Sequence, residues 1–239
     1  MKGISCVMPA MDRFDIMPLT IRSYNEQIFQ PRELIIVHNG KKPLPDSLVE
    51  QVKGDVKVIK FSKEKVMAAI VRNAGIQEAR YDYVAKCDDD DWYFPSRLET
   101  MFEMMENDKS LLGAAYSLLS AYDVMSGRYG LVDKPNWYFD GSIMGRRSSL
   151  LEAVEQTRKG GMNPCPFKWF KDNVFRADIT KLGRIRDFTQ LLILFHGAND
   201  STSWNYATSQ GKIEEFQERF PKYVTDFLSN LTLERQKLK

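Results

Sequence analysis

A chain of 239 residues, 43% hydrophobic and 28% charged, carries enough apolar material for one large core or two closely joined halves, so a globular, enzyme-sized protein is expected. Its 34 basic and 32 acidic residues leave a formal net charge of +2; no overall field selects nucleic acid or an anionic membrane, and no nucleic-acid partner is expected. The three cysteines, Cys6, Cys87 and Cys165, are odd in number, widely spaced and without a CxxC pair, which argues against a disulfide framework or a zinc site and fits a reducing, cytoplasmic setting.

The opening MKGISCVMPAMDRFD has too short an apolar run before Asp12 and Asp15 for a signal peptide. Residues 4–8 read instead as a strand ending at Pro9, and residues 17–27 place apolar side chains at helical spacing. A second strand over 34–38 is closed by Asn39-Gly40, a turn signal. After a polar connection over 41–46 and a short helix, residues 56–61 form a third strand and 66–79 a helix that carries Arg72 and Asn73. The fourth strand, 83–87, runs straight into Asp88-Asp89-Asp90-Asp91. Pro95 then opens a helix through Met105, because proline is tolerated in a first turn, with Ser96 or Asp91 placed to cap it. This alternation predicts βαβ units, hence an α/β fold with a mostly parallel central sheet flanked by helices. Ligands gather at the carboxyl ends of such strands, so the polar loops 9–13, 38–41 and 88–91 should converge on one crevice.

The second half is less regular. A strand over 114–122, a turn at Ser126-Gly127, a strand near 142–145 and a helix over 148–157 precede a Gly/Pro-rich loop over 160–166. The aromatic stretch 166–175 leaves peripheral membrane contact open beside a buried or substrate-lining role. Residues 191–195, the longest apolar stretch in the C-terminal half, fall far short of the roughly 20 residues that span a bilayer, and no transmembrane segment is expected. The tail 212–239 is charged and helical, broken at Pro221. No linker divides the chain into independent domains, and no repeat or low-complexity tract occurs.

Four successive aspartates at a strand terminus crowd carboxylates whose repulsion is costly unless a cation offsets it. Hard oxygen ligands favour Mg²⁺ or Mn²⁺, which take one or two carboxylates and complete their shells with substrate phosphates and water. The alternative is a solvated acidic loop or a calcium site, but this run follows an apolar strand and precedes Trp92 and Pro95.

The ordered segments CVMPAMDR, IIVHNG, VRNAGIQEA, CDDDDWYFP, GSIMGRR and KDNVFRADITKLG resemble the family 2 glycosyltransferases of the GT-A fold, the Rossmann-like fold of nucleotide-diphospho-sugar transferases. The resemblance covers roughly residues 3 to 200 and implies a nucleotide-sugar-binding half over 1–105, an acceptor-binding half over 106–200 and a C-terminal helical extension over 201–239. By this resemblance Pro9, Ala10, Met11 and Asp12 form the first-strand loop that cradles the base, with Met11 where the family often has an aromatic residue. Asn39 stands where an aspartate usually contacts the base; an amide can still pair with a pyrimidine edge. Arg72 and Asn73 match helix residues beside the nucleotide, although an arginine there is as readily a surface ion pair.

Within the acidic run the resemblance implies that Asp88 and Asp90 hold the metal, Mn²⁺ or Mg²⁺, that Asp89 meets the ribose, and that Asp91 caps the next helix. His196, in HGANDS, resembles a histidine that can complete the metal site. Asp172 matches the family's catalytic aspartate, with Lys171 in place of a frequently acidic neighbour. The reaction implied is displacement at the anomeric carbon of a nucleoside-diphosphate sugar, a UDP-sugar favoured, by an acceptor hydroxyl of a glycan, a lipid-linked sugar or a protein. With Asp172 as base on the face opposite the diphosphate, the configuration inverts. Trp137, Tyr138 and Asp140 could form an acceptor wall, with burial the alternative for the two aromatic rings. A nucleotidyltransferase would share the acidic ligands but want a Gly-rich basic loop after the first strand, which Pro9-Ala10-Met11-Asp12 lacks. A non-catalytic nucleotide-sugar-binding module would keep the fold without the base.

Overall fold

Strand β1 spans Ile4–Ala10 and pairs in parallel with β2, Arg32–His38, along its whole length, but with β4, Tyr83–Lys86, only from Ile4 to Val7. This explains why the strand runs past Pro9, where the sequence places its end. Val7 faces β4, where its carbonyl accepts from Cys87 N at 2.9 Å, and Pro9, two residues on, faces the same way. β4 has already ended there, so the N–H that proline lacks has no ladder partner to lose. The computed structural model describes residues 1–61, 68–133, 139–159, 182–186, 191–196 and 220–237.

β3, Asp55–Lys60, joins β2 in parallel, and the order β3-β2-β1-β4 makes one all-parallel half. Side chains alternate between two cores. Cys6, Met8, Leu34 and Ile36 face the helices α1, Met17–Asn25, and α4, Arg97–Asn107; Val7, Ile35, Val37 and Val84 face α3, Ala68–Glu78, and α5, Arg147–Lys159. Helices therefore cover both faces, the arrangement that a sheet of continuous apolar strands requires. α3 lies close on β1: a Cβ at Gly75 would stand 2.3 Å from Val7 Cγ1. A further helix, α2, is one turn over Asp46–Val49.

The other half is built on β6, Gly113–Asp123. Its first part pairs with β8, Met144–Arg146, and with β9, Leu182–Arg186; its second part pairs with β7, Arg128–Asp133, and with β10, Leu191–Phe195. The register shifts between Tyr116 and Leu118, where the long strand changes partners. β8 joins the halves by running antiparallel to β4. The β6–β7 turn has Gly127 at φ +71°, a left-handed conformation that suits glycine.

Three differences from the expected elements bear on function. Asp91 begins a short strand, β5, Asp91–Tyr93, antiparallel to β10, and does not cap a helix. α4 starts at Arg97 with Ser96 at its N-cap position but without a side-chain capping bond; burial of Leu98, Met101 and Met105 outweighs the ~1 kcal/mol that a cap provides. β7 and β9 arise only through pairing with β6. The last helix, α6, Lys222–Lys237, covers a third core of Trp92, Tyr122, Tyr129 and Leu194 with Val224, Leu228 and Leu231. Trp92 Nε1 donates to Tyr223 Oη at 3.2 Å, so this helix backs the acidic run. Among the described residues, no helix is long and apolar enough to cross a membrane.

Candidate functional site

Three loops meet beyond the carboxyl ends of β1, β2 and β4. Asn39 N donates to the Ala10 carbonyl at 2.9 Å, and the Asp12 carboxylate accepts from Lys41 N and Lys42 N, each at 3.0 Å. That fit leaves no room at Gly40, where a Cβ would stand 2.2 Å from Asp12 Oδ1. Met11, on the β4-facing edge beyond Pro9, donates its N–H to Asp89 Oδ2 at 2.9 Å. The convergence expected of residues 9–13, 38–41 and 88–91 is thus made by backbone donors meeting aspartates.

Buried polar atoms without a hydrogen-bond partner among the described residues include His38 Nε2 and Arg13 Nε on this crevice, and Asn73 Oδ1 on α3. Buried polar groups are seldom left so without a ligand or water to meet them. His38 stacks on Phe14, ring centres 6.1 Å apart, and burial pushes its pKa down, with Asp12 opposing and Lys60 reinforcing. A neutral imidazole results, able to donate or accept.

The four aspartates sit in four different surroundings. Asp88 accepts from Lys86 Nζ at 2.8 Å and Arg72 Nη2 at 3.4 Å. Burial raises its pKa, but the two cations more than reverse this and hold it below the usual range. Asp89 is fully buried and binds Met11 N and the Arg13 guanidinium; burial prevails over Arg13 and pushes it up to about 6. Asp90 Oδ2 lies 2.9 Å from His196 Nε2 and 3.0 Å from Arg13 Nη1. Asp91 is buried, and among the described residues only Leu194 N meets its carboxylate, at 3.3 Å; burial first, then repulsion from Asp90 and Asp88, raises it well above the ordinary value.

His196 reaches Asp90 because β5 and β10 pair. Asp91 lies opposite Ile193, which keeps the chain just before β5 close to the end of β10; from the position after β10 the His196 side chain reaches back to Asp90, across 106 positions of chain. Among the described residues, no group of three or more His, Cys, Asp or Glu side chains could hold a metal ion. A pair suffices for a cation that takes substrate phosphates. Two ligands in adjacent positions around Mg²⁺ or Mn²⁺ stand about 3 Å apart; Asp90 Oδ2 and His196 Nε2, 2.9 Å apart, meet that spacing, and the carboxylate suits either ion. Of the two carboxylates expected at a metal, Asp90 is the one that faces a second candidate ligand, while Asp88 pairs with Lys86 and Arg72.

The 3₁₀ turn Asp140–Ser142 lies against the run, since a Cβ at Gly141 would stand 3.1 Å from Asp88 Oδ2 and 3.8 Å from Asp91 Oδ2. Asp140 is thereby brought to the site's border. Asp172, Lys171, Trp137 and Tyr138 lie outside the described residues. Sequence reasoning missed Arg13, Lys86 and Phe14. Lys86 had a signal: a lysine inside an apolar strand, two residues before Asp88, shares a face with it. Arg13 had one too, as the only cation in the first loop.

The family model for glycosyl transferase family 2 matches residues 5–177. The uncharacterized glycosyltransferase YwdF of Bacillus subtilis is 30% identical over 105 residues, covering 43% of this chain and 38% of that protein. The O-antigen biosynthesis glycosyltransferase WbnJ of Escherichia coli is 28% identical over 121 residues, covering 49% of this chain and 47% of that one. The chain thus spans less than half the length of either relative. S. aureus TarS residues 1–349, solved with UDP-GlcNAc, superposes with a TM-score of 0.60 over 97% of this chain and 71% of that one, at 11% identity, a likeness of fold and not of detail. A parallel half that gathers its loops on an acidic strand end is what the matched family's GT-A fold provides, and this chain belongs to glycosyl transferase family 2.

Proposed function

We propose that this chain moves a sugar from a nucleoside-diphosphate sugar to an acceptor hydroxyl, holding the diphosphate through one divalent cation, Mn²⁺ or Mg²⁺, on Asp90 and His196. The 2.9 Å approach of Asp90 Oδ2 to His196 Nε2 beside a crevice of backbone-bound aspartates carries the reading. The cation supplies charge that offsets the leaving diphosphate.

The chain's own residues divide the remaining work. Pro9, Ala10, Met11 and Asp12 line the base side with Asn39, and Asp89, fixed by Met11 N and Arg13, turns toward the ribose. Asp88 orients Arg72 and Lys86 at the donor, with Asn73 beside them. Asp172 takes the acceptor proton as attack proceeds from the face opposite the diphosphate, so the anomeric configuration inverts. Trp137 and Asp140 border the acceptor, which is a glycan, a lipid-linked sugar or a protein side chain. UDP is the favoured nucleotide, in line with the UDP and UDP-GlcNAc complexes of TarS.

Thermal unfolding with Mn²⁺ and UDP-, GDP-, dTDP- or CMP-sugars identifies the donor, because a ligand bound only by the native state raises the midpoint. With that donor, Asp172→Asn is expected to lower the transfer rate by about 10²–10⁴ while donor affinity stays unchanged. Transfer at the wild-type rate by this variant, or no midpoint shift with any of the four, contradicts the proposal.

A further inference from the structure

Arg13 holds both central carboxylates at once. Its Nη2 pairs with Asp89 Oδ1, and its Nη1 lies 3.0 Å from Asp90 Oδ2. That second oxygen is the one 2.9 Å from His196 Nε2, so a guanidinium N–H occupies the carboxylate oxygen that the cation needs. The other two cations at the acidic run, Lys86 and Arg72, pair with Asp88. Arg13 is anchored at the end of the first loop, where its carbonyl accepts from Ile16 N at 3.1 Å and Met17 N at 3.0 Å, while its side chain is about one-fifth exposed. The base is fixed while the side chain is not fully enclosed, so the guanidinium can change partners without moving the loop.

We infer that Arg13 is a built-in counter-cation: in the donor-free protein it neutralises Asp89 and Asp90 in the place of the divalent ion, and it releases Asp90 Oδ2 when ion and diphosphate arrive together. The inference rests on the reading of Asp90 and His196 as cation ligands. Releasing a charged N–H from a carboxylate is costly unless another anion receives it, and the diphosphate is that anion. Divalent ion and nucleotide therefore bind with positive coupling, each raising the other's affinity by the same factor. An ion alone meets competition from Arg13.

The test measures Mn²⁺ binding by the loss of the free-ion paramagnetic resonance signal, with and without UDP, in the full chain and in Arg13→Gln, Arg13→Lys and Asp90→Ala. Thermal unfolding of each is followed in chelator. Without UDP, Arg13→Gln is expected to bind Mn²⁺ about tenfold more tightly than wild type, roughly 1.4 kcal/mol, and its Mn²⁺–UDP coupling to fall by a similar factor. In chelator its midpoint falls by about 4 °C or more, since two buried carboxylates lose their partner. Should Arg13→Gln fail to fold, Arg13→Lys decides, because one ammonium cannot hold both carboxylates as the fork does, and tighter Mn²⁺ binding is expected there too. If these variants bind Mn²⁺ no more tightly than wild type while Asp90→Ala binds none, the cation site stands and the counter-cation is refuted. If Asp90→Ala binds Mn²⁺ like wild type, the cation site fails and the inference fails with it.

Discussion

The half of the sheet formed by β3-β2-β1-β4 is assembled from neighbours in sequence, whereas the half centred on β6 collects its strands from Asp91 to Phe195 and needs α6 over it. The first half makes a crevice by topology alone: parallel strands with short crossovers put loops 9–13, 38–41 and 88–91 at one end. The second half adds what topology does not dictate. It brings His196 to Asp90 through the β5–β10 pairing and sets Gly141 against Asp88. The crevice is thus a local product of this chain, and the Asp90–His196 pair at its edge a long-range one.

The sharpest way to separate the two is to weaken α6. Leu228 is fully buried in the core it shares with Trp92 and Leu194. Leu228→Ala is expected to cost about 2–5 kcal/mol, read from denaturant unfolding, and to weaken Mn²⁺-dependent UDP binding more than Mn²⁺-independent binding. Equal loss of both would make α6 a support for the whole molecule and erase the distinction.

The converse perturbation falls on the parallel half. Replacing a mid-helix glycine by alanine ordinarily stabilises by 0.5–1 kcal/mol, as an approximate figure. At Gly75 the new methyl would stand 2.3 Å from Val7 Cγ1, and overpacking by about 1–3 kcal/mol wins. Gly75→Ala should therefore lower stability and UDP affinity alike, leaving the ratio of affinities with and without Mn²⁺ unchanged. A rise in stability would mean that α3 can lift from β1 at little cost.

These two regions also differ in how far the sequence announces them. In the parallel half, strands such as RELIIVH and helices with one apolar face are readable because each element meets its neighbour in chain order. Boundaries shifted by a residue or two, and Pro9 proved compatible with a strand because its partner ends first. Asp88 to Asp91 could be located but not told apart: Lys86, Arg72, Arg13 and Leu194 N make four environments, and only the fold brings them in. β5 has three residues, and β7 (RYGLVD) and β9 (LGRIR) lack a strict apolar–polar alternation, so periodicity does not mark them and they owe their extended backbone to pairing. Asp91 was readable as a helix cap from its place before Pro95; ladder pairing with β10 claims it instead.

The smallest expected effect distinguishes Asp91 from its neighbours. Its folded pKa is raised, so its contribution to stability is fully present below the unfolded value near ~4 and is lost as pH rises through the folded value. Asp91→Asn keeps an acceptor for Leu194 N and removes the charge. In chelator it should match wild type at about pH 4 and become equal or slightly more stable toward neutrality, measured by denaturant unfolding at each pH. A stability advantage of wild type that grows with pH would show that the Asp91 carboxylate is stabilised by a partner such as a cation.

The central claim is that Asp90, facing His196 across the β5–β10 pairing, binds the donor's diphosphate through a divalent ion. Calorimetric affinities for UDP with and without Mn²⁺, in wild type and Asp90→Ala, test it most directly. Mn²⁺ should tighten UDP at least about tenfold in wild type, roughly 1.4 kcal/mol, and leave Asp90→Ala unchanged. The same Mn²⁺ enhancement in both proteins, or none in wild type, would contradict it.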